Sequence, residues 1–313
     1  MGCLKGICIS EQRGTNKREV DSAILIEDWG IEKDAHAGNW HRQVSLLSYE
    51  KIQEFREKGA EVDFGSFGEN LIVEGFGSLK TIPVGSRFQI GETILELTQI
   101  GKECHTHCKI YQTMGDCIMP REGVFAKVVK GGRIERGDEI ILLSPSSNRK
   151  MTAAVITLSD SGARGERVDE SGPLLCEELK KAGYDVVEAL LLPDEEASIE
   201  AELIRLCDQR QVQLIMTTGG TGFSLRDCTP EATLAVATKN VPGIAEAIRA
   251  GSMKYTKCAM LSRGVSVIRD KTLIINLPGS PKAVKESTEL IINTLEHGIR
   301  VLVGMESNCA RIS

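Results

Sequence analysis

The sequence contains few aromatic residues and no long apolar run. Phe, Trp and Tyr make up only 4% of its 313 residues, which excludes an aromatic platform for stacking single-stranded nucleic acid. No apolar run approaches the ~20 residues that a membrane-spanning helix needs. Lys and Arg total 38 against 44 Asp and Glu, and the net charge of −6 argues against nucleic acid as a partner. We therefore expect neither a nucleic-acid partner nor a membrane span.

The sequence shows no secretory signal, and it contains only five histidines. The ten cysteines come without a secretory signal, which indicates reduced thiols rather than a disulfide framework. We therefore expect a cytoplasmic protein. Residues 151–313 contain a single histidine, His297, which we interpret as structural. Chemistry in this half should consequently depend little on general acid–base groups.

Residues 1–143 have the pattern of a mostly-β domain. Many short apolar segments are separated by glycine turns, which favours a barrel or a sandwich. Tight hairpins are predicted at Gly91-Glu92 and at Gly131-Gly132, and one helix is predicted over Ser48–Lys58. The segment 144–150 is polar, contains proline and lacks periodicity, so it is predicted to be an interdomain linker.

Residues 151–313 are predicted to form a second domain, in which strand-like and helix-like segments alternate. This order predicts a doubly wound, mainly parallel sheet with helices on both faces, which is a three-layer α/β fold. The last helix is predicted to run from Pro281 to about Gly298. Because ligands of such sheets bind at the carboxyl ends of the strands, the side chains that follow each strand are the candidate site residues.

The second domain is organised around a glycine-rich segment, residues 217–231. It follows the apolar run Leu214–Met216, and Thr229-Pro230-Glu231 then supplies the cap, the proline and the acid of a helix start. A strand, a glycine turn and a helix N-terminus together predict a phosphate cradle. The segment is neither a Walker A loop nor a Gly-x-Gly-x-x-Gly fingerprint. Its candidate binding residues are Thr218, Gly219, Gly220, Thr221, Gly222 and Arg226, with Asp227 as a candidate metal-binding carboxylate.

Polar side chains also follow the other predicted strands of this domain. Ser159 and Asp160 follow the first strand, and Asp194 follows the second. Because Mg²⁺ prefers oxygen ligands, Asp194 and Asp227 are predicted to hold it directly or through water. The residues alone therefore predict an anionic ligand, a phosphate in the simplest case, with a divalent metal. The segment after the last strand adds the candidate binding residues Asn276, Pro278, Gly279 and Ser280.

Three segments of this domain resemble the molybdopterin-binding family, which includes the bacterial molybdopterin adenylyltransferase and the G domain of gephyrin. They are residues 217–233, Leu191–Glu195 and Asn276–Lys282, and the resemblance covers roughly residues 151–310. It implies that the domain adenylylates molybdopterin with Mg-ATP, releases pyrophosphate and forms a trimer. It also implies that Asp194 and Asp227 are the two essential acids, and that the glycine loop and Asn276–Pro281 bind pterin and nucleotide.

The first domain resembles a MOSC domain, named from the C-terminal part of molybdenum cofactor sulfurases. The resemblance implies a β-barrel that binds the molybdenum cofactor, with Cys104 carrying sulfur or contacting molybdenum. The aminotransferase-like cysteine desulfurase of full sulfurases is absent, so a partner such as a cysteine desulfurase or a molybdate-inserting enzyme is expected. The motifs that carry the resemblance are Asp34-Ala-His-Ala-Gly38, Arg42–Leu47, Phe67–Leu71, Gly101–Cys104 and Gly123–Ala126.

Other interpretations stay open from the sequence. A non-catalytic carrier would bind molybdopterin without ATP turnover, and a sulfurtransferase would depend on Cys104 rather than on Asp227. The segment Cys104–Cys108, together with Cys117, is an alternative zinc site, although its spacing matches no common zinc finger. Arg226 either screens phosphate charge or pairs with a nearby acid. Ser159 and Ser280 either bind the ligand or cap turns.

Overall fold

The structure, a computed structural model, describes residues 1–102, 109–143 and 149–305. The chain divides into two compact units, Met1–Ser147 and Asn148–Ser313, each with its own buried apolar core. The predicted linker, 144–150, stays a prediction, because residues 144–148 lie outside the described residues. Within the described ranges, no helix combines the length and the apolar character needed to cross a membrane.

The first unit is a closed β-barrel with short helices. Seven strands close the barrel in the order β11-β7-β8-β9-β5-β6-β1, since β1 pairs with both β6 and β11, and β2 extends the sheet beyond β1. A separate three-stranded sheet has the order β10-β3-β4. The barrel prediction is therefore confirmed. The elements are β1 (Gly2–Ile9), β2 (Arg18–Val20), β3 (Ser22–Ile26), β4 (Gly30–Ile31), β5 (Val44–Ser48), α1 (Tyr49–Glu57), β6 (Leu71–Glu74), β7 (Arg87–Ile90), β8 (Thr93–Ile100), α2 (Lys109–Met114), α3 (Met119–Glu122), β9 (Val124–Lys130), β10 (Gly132–Glu135) and β11 (Glu139–Leu143).

The two predicted hairpins have different outcomes. β7 and β8 pair antiparallel across Gly91-Glu92, where Gly91 has a φ of +57°, so this hairpin is confirmed. The hairpin at Gly131-Gly132 is wrong, because β10 pairs with β3 and, in the described structure, not with β9. A Cβ atom at Gly131 would lie 2.6 Å from the carbonyl oxygen of Leu25. The glycine therefore allows close backbone packing against β3 instead of a tight turn.

The helix predicted over Ser48–Lys58 is confirmed as α1. Ser48 is its N-cap, and the Ser48 hydroxyl accepts a hydrogen bond from the backbone N–H of Lys51 at 3.2 Å. Ile52 and Phe55 on one face of the helix are buried, and the left-handed Gly59 follows its C-terminal end.

A fully buried ion pair joins two loops of the first unit. Lys17 Nζ lies 2.6 Å from Asp34 Oδ2, and the two side chains are 1% and 0% exposed. Asp34 also accepts hydrogen bonds from the backbone N–H groups of Ser10 and His36, each at 3.0 Å. Although burial acts to raise the pKa of Asp34, hydrogen bonds from His36 and Lys17 hold that pKa well below its usual value. Both loops therefore depend on the charge of this carboxylate.

The second unit is a six-stranded sheet of order β13-β12-β14-β17-β16-β15. The first four strands are parallel, while β16 and β15 run antiparallel to their neighbours. The elements are β12 (Thr152–Leu158), α4 (Asp160–Ala163), α5 (Ser171–Lys181), β13 (Asp185–Leu192), α6 (Glu196–Ile204), β14 (Leu214–Thr218), α7 (Thr229–Ala235), β15 (Lys239–Asn240), α8 (Pro242–Ser252), β16 (Ser266–Arg269), β17 (Thr272–Leu277) and α9 (Pro281–Leu302).

Helices cover both faces of this sheet, which confirms the predicted three-layer fold. Alternate residues of β12 face opposite sides: Val155 packs with residues of α5, α8 and α9, whereas Ile156 packs with residues of α6 and α7. The chain passes from β12 to β13 on one side and then to β14 on the other side of β12. This reversal leaves a crevice at the carboxyl ends of β12 and β14, where ligands of such sheets bind.

The last helix is longer than the sequence predicts. α9 continues past Gly298 to Leu302, and Gly304 with a φ of +77° follows it. A Cβ atom at Gly298 would meet nothing within 4 Å, so this glycine occupies an open, exposed position of the helix. Leu295 and Ile299, on either side of Gly298, are buried and continue the apolar face of the helix. Packing of this face keeps the chain helical beyond the glycine.

We expect Asp34→Asn to destabilise the first unit strongly, because it leaves the Lys17 ammonium buried without a counter-charge. Removing one partner of a buried pair costs about 3–5 kcal/mol. Both tryptophans, Trp29 and Trp40, lie in the first unit. Urea unfolding followed by tryptophan fluorescence therefore measures this unit in the intact chain.

Glu135→Gln is the matched control, because Glu135 pairs with Arg133 in the same unit while both side chains are largely exposed. An exposed pair contributes only about 0–1 kcal/mol. Equal unfolding free energies for the two variants would contradict a structural role for the buried pair.

Candidate active site

A cavity of about 540 Å³ opens at the carboxyl ends of β12, β13 and β14. It lies at the reversal of strand order, as the sequence analysis expects for a ligand site. Loops that are far apart in the sequence converge there, because parallel strands end at the same edge. Of the predicted site residues, the structure brings ten to the lining: Ser159, Asp160, Asp194, Thr218, Gly219, Gly220, Arg226, Asp227, Gly279 and Ser280.

The structure does not bring Asn276 to the cavity. Asn276 lies inside β17 rather than after it, and only 3% of it is exposed. Its side-chain amide donates to the hydroxyls of Thr217 and Thr233 at 3.0 Å each, and its Oδ1 accepts from the backbone N–H of Val265 at 3.2 Å. These contacts use the amide to join β17 to the neighbouring elements, and both amide N–H donors are occupied.

Pro278, Thr221 and Gly222 also lie outside the lining of the cavity. The carbonyl of Pro278 accepts a hydrogen bond from the Thr218 hydroxyl at 2.8 Å. The carbonyls of Thr221 and Gly222 accept hydrogen bonds from Arg263. The carbonyl groups of these three residues therefore bind other parts of the protein.

The glycine loop approaches its neighbours more closely than any other residue type allows. Gly219 and Gly220 have φ values of +106° and +61°, in the left-handed region. A Cβ atom at Gly219 would overlap the carbonyl oxygen of Leu158, and one at Gly220 would overlap the Thr229 hydroxyl and lie 2.8 Å from Asp194 Oδ1. The two glycines thus let β14, α7 and the Asp194 loop meet at one point.

Three backbone donors of this loop have no acceptor within the described protein, and one of them, Gly220, lines the cavity. Across the described residues, the N–H groups of Gly220, Thr221 and Gly222 donate no hydrogen bond to the protein. The carbonyls of Gly219 and Gly220 face the other way and accept from Thr229 at 3.0 and 3.2 Å. Amide groups without partners at a glycine turn before a helix favour an anion.

Asp194 has a buried carboxylate oxygen without a hydrogen-bond partner among the described residues. This oxygen is Oδ1, whereas Oδ2 accepts from the backbone N–H of Asp160 at 3.1 Å. The Asp194 N–H donates in return to Asp160 Oδ1 at 3.1 Å. Burial, together with the negative charges of Asp160 and Asp227, raises the pKa of Asp194. A desolvated carboxylate beside two further acids is an environment that favours a bound cation.

Arg226 pairs with an acid in this structure, which was one of the two interpretations of its role. Its Nε and Nη2 atoms lie 2.9 Å from the two oxygens of Asp160. The Arg226 guanidinium lowers the pKa of Asp160, and 58% of the Arg226 side chain is exposed. Arg226 thus links the loop after β14 to the start of α4 at the mouth of the cavity.

Molybdopterin adenylyltransferases are similar in sequence to this chain. The Helicobacter pylori (strain ATCC 700392 / 26695) enzyme is 41% identical over 152 residues, which are 48% of this chain and 86% of that protein. The Escherichia coli (strain K12) enzyme is 43% identical over 151 residues, 46% of this chain and 77% of that protein. The chain belongs to the molybdopterin adenylyltransferase family.

Domain families agree with this membership and cover both units. Residues 154–297 match the family described as a probable molybdopterin binding domain, and residues 33–141 match the MOSC domain. The crystal structure of the molybdopterin biosynthesis enzyme MoaB from Thermus thermophilus is 41% identical, and its similarity covers 49% of this chain and 97% of that chain with a TM-score of 0.48. The predicted combination of a MOSC domain and an adenylyltransferase-family domain is therefore confirmed.

The carboxylate oxygens at the cavity of the adenylyltransferase-family unit suit a magnesium ion that also binds the substrate. Among the residues that the structure describes, no group of three or more His, Cys, Asp or Glu side chains is arranged to hold a metal by itself. Mg²⁺ usually keeps several waters and binds one or two carboxylates together with substrate phosphates. Asp227 lines the same cavity as the partnerless Asp194 Oδ1, so the two predicted carboxylates suit this mode.

Several lining residues in the loop between α4 and α5 are not predicted from the sequence. Asp169 Oδ1 accepts from the backbone N–H groups of Ser171 and Gly172 at 3.0 and 2.9 Å, and it caps α5 beside the cavity. Arg164 and Arg167 add two cations to the lining. An Asp two residues before a Ser-Gly helix start is a sequence signal for such a cap. The arginines carry no comparable signal.

Cys104, the predicted sulfur or molybdenum residue, lies outside the described residues, as does the Cys104–Cys108 segment of the alternative zinc site. Cys117 is described, and it is a buried cysteine of the MOSC unit that forms no disulfide.

We expect Asp194→Asn to stabilise the second unit at neutral pH. A carboxyl group whose pKa is higher in the folded than in the unfolded state destabilises folding when it is ionised, and this cost fades as pH falls through the folded pKa. The asparagine removes the buried charge. The variant should therefore have the higher unfolding temperature at pH 7 by calorimetry, with a smaller difference at pH 4.5.

Asp185→Asn is the control, because Asp185 is an exposed acid at the opposite end of the same strand, β13. It should change the unfolding temperature little at either pH. An unfolding temperature of Asp194→Asn below that of wild type at pH 7 would contradict the prediction, because it would show that the Asp194 charge is compensated.

Proposed function

We propose that the second unit transfers an adenylyl group from Mg-ATP to molybdopterin and releases pyrophosphate. The observation that carries this proposal is the buried, partnerless Asp194 oxygen, which shares one cavity with Asp227 and the glycine loop. A carboxylate in this state needs a cation, while the loop amides need an anion. A magnesium nucleotide satisfies both requirements.

The reaction requires positioning more than proton transfer. An oxygen of the pterin's terminal phosphate, already anionic at neutral pH, attacks the α-phosphorus of ATP. A new P–O bond forms, the bond to the bridging oxygen of the β-phosphate breaks, and pyrophosphate leaves. No general base is needed, which agrees with the single histidine, His297, of this half. The protein's contribution is then orientation and charge neutralisation.

Specific groups of the chain have separate roles in this proposal. Asp194 and Asp227 hold Mg²⁺, which neutralises phosphate charge when it is bound. The amide of Gly220 holds a phosphate oxygen. The hydroxyls of Ser159 and Ser280 cap α4 and α9, where they accept from the N–H groups of Gly162 and Ala283 at 3.1 and 3.3 Å. Each hydroxyl keeps a proton to donate to the ligand from its loop. Arg226 exchanges its partner Asp160 for a phosphate when the nucleotide enters. The Asp160–Arg226 pair is exposed enough for such an exchange to cost little.

For the first unit we propose that the MOSC domain binds the molybdenum cofactor, with Cys104 as the thiolate that carries sulfur or contacts molybdenum. Soft thiolate ligands suit such a role. The proposal rests on the MOSC match over residues 33–141 and on the sequence position of Cys104. A partner protein would supply sulfur or molybdate, and the chain would assemble as a trimer in the cytoplasm.

We expect Asp227→Asn to lower the rate of adenylyl transfer by roughly 100-fold or more, because it removes a charge that holds the magnesium nucleotide. The intact chain is incubated with molybdopterin and Mg-ATP, and adenylyl-molybdopterin and pyrophosphate are measured. Asp185→Asn serves as the control, since this exposed acid lies at the other end of the sheet from the cavity.

Two outcomes would reject the proposal. Molybdopterin binding without pyrophosphate release would favour a carrier. Sulfur transfer that is unchanged in Asp227→Asn but is lost when Cys104 is alkylated, in protein that forms no adenylyl-molybdopterin, would favour a sulfurtransferase.

A further inference from the structure

Arg263 lies outside the lining of the cavity but contacts the glycine loop from behind. It follows a short 3-10 helix, Lys257–Leu261, and precedes β16. Its position in the sequence is distant from the loop, and no motif of the sequence analysis includes it. About a third of its side chain, 31%, is exposed.

Five carbonyl groups of the glycine loop accept hydrogen bonds from two residues, Thr229 and Arg263. Thr229 takes the carbonyls of Gly219 and Gly220. Arg263 takes three more: its backbone N–H donates to Thr221 at 3.0 Å, its Nε donates to Gly222 at 2.6 Å, and its Nη2 donates to Asp227 at 2.7 Å. Arg263 therefore fixes the half of the loop that ends at the metal-binding candidate.

The guanidinium group suits this task because its donors form a rigid planar fork. Nη1 forms an ion pair with Glu231 in the first turn of α7, which holds the fork in place. Nε and Nη2 of the same planar group then donate to the carbonyls of Gly222 and Asp227. A lysine ammonium is a point charge on a flexible chain, so it cannot hold these groups in a fixed relation.

We propose that Arg263 is a positioning residue for adenylyl transfer, which sets the place of the Asp227 carboxylate by holding the backbone of residues 221–227. The proposal rests on the proposed function. The three hydrogen bonds hold the carbonyls of Thr221, Gly222 and Asp227, so they restrain the loop at both ends of this segment. Asp227 itself adds a local constraint, since its Oδ2 accepts from the backbone N–H of Ser224 at 3.0 Å.

The first test measures the loop without any ligand. Amide hydrogen exchange of a peptide spanning residues 219–228 is compared between the intact wild-type chain and Arg263→Ala. We expect exchange in this peptide to be at least roughly tenfold faster in the variant, since the loop loses two of its carbonyl anchors. Arg269→Ala is the matched control: Arg269 binds Asp208 and the carbonyl of Val236, and it does not touch the loop.

The second test measures adenylyl transfer in the same proteins. Arg263→Ala should lose roughly 100-fold in kcat, the effect of a displacement of about 1 Å at a reacting group. Guanidinium added to Arg263→Ala should restore part of the lost kcat, whereas Arg263→Lys should stay impaired. A merely structural role would give no such rescue. Arg269→Ala should keep kcat within about twofold of wild type.

The outcomes separate this proposal from the proposed function. Unchanged exchange of residues 219–228 in Arg263→Ala would overturn the clamp, whatever the activity. Faster exchange with unchanged kcat would overturn its role in the reaction. If wild-type protein bound molybdopterin and Mg-ATP but formed no product, the proposed function would fail. The clamp would then be overturned as a positioning residue for transfer, even with faster exchange.

Discussion

The second unit depends on a carboxylate oxygen that the fold buries without a hydrogen-bond partner among the described residues. Asp194 Oδ1 is enclosed because Gly220 lies against it, in a position where any side chain would collide. Burial and the neighbouring acids raise the pKa of Asp194, so the folded chain retains an unfavourable charge. Such an arrangement persists where surrounding contacts fix it and where a ligand relieves it.

The buried charges of the two units have opposite meanings. In the first unit, the side chain of Asp34 is fully buried, but Lys17 and two backbone N–H groups satisfy it. In the second unit, Asp194 lies beside Asp160 and Asp227, which share its sign. A compensated charge indicates structure, whereas an uncompensated charge in a cavity indicates a ligand. The difference lies in the groups that surround each carboxylate.

The sequence predicts features that depend on local chemistry and misses those that depend on distant contacts. The glycine loop and the convergence of Asp160, Asp194 and Asp227 follow from strand order, since parallel strands end at one edge. Asn276 lies inside its strand rather than after it, and its amide binds Thr217 of β14, Thr233 of α7 and Val265. The pairing of β10 with β3 and the contact of Arg263 with Gly222 join segments far apart in the chain. Composition and periodicity carry no information about such partners.

A reaction that uses no acid–base group places its demand on geometry. In the proposed transfer, the nucleophile is already ionised, and the rate depends on where the phosphates and the carboxylates are held. Residues that do not contact the ligand can then affect the rate, because they hold the loop that binds it. Thr229 and Arg263 contact no ligand in this scheme, yet they bind five loop carbonyls and so hold the backbone of the loop in place. The catalytic surface of this unit is therefore built as much from behind the loop as from within the cavity.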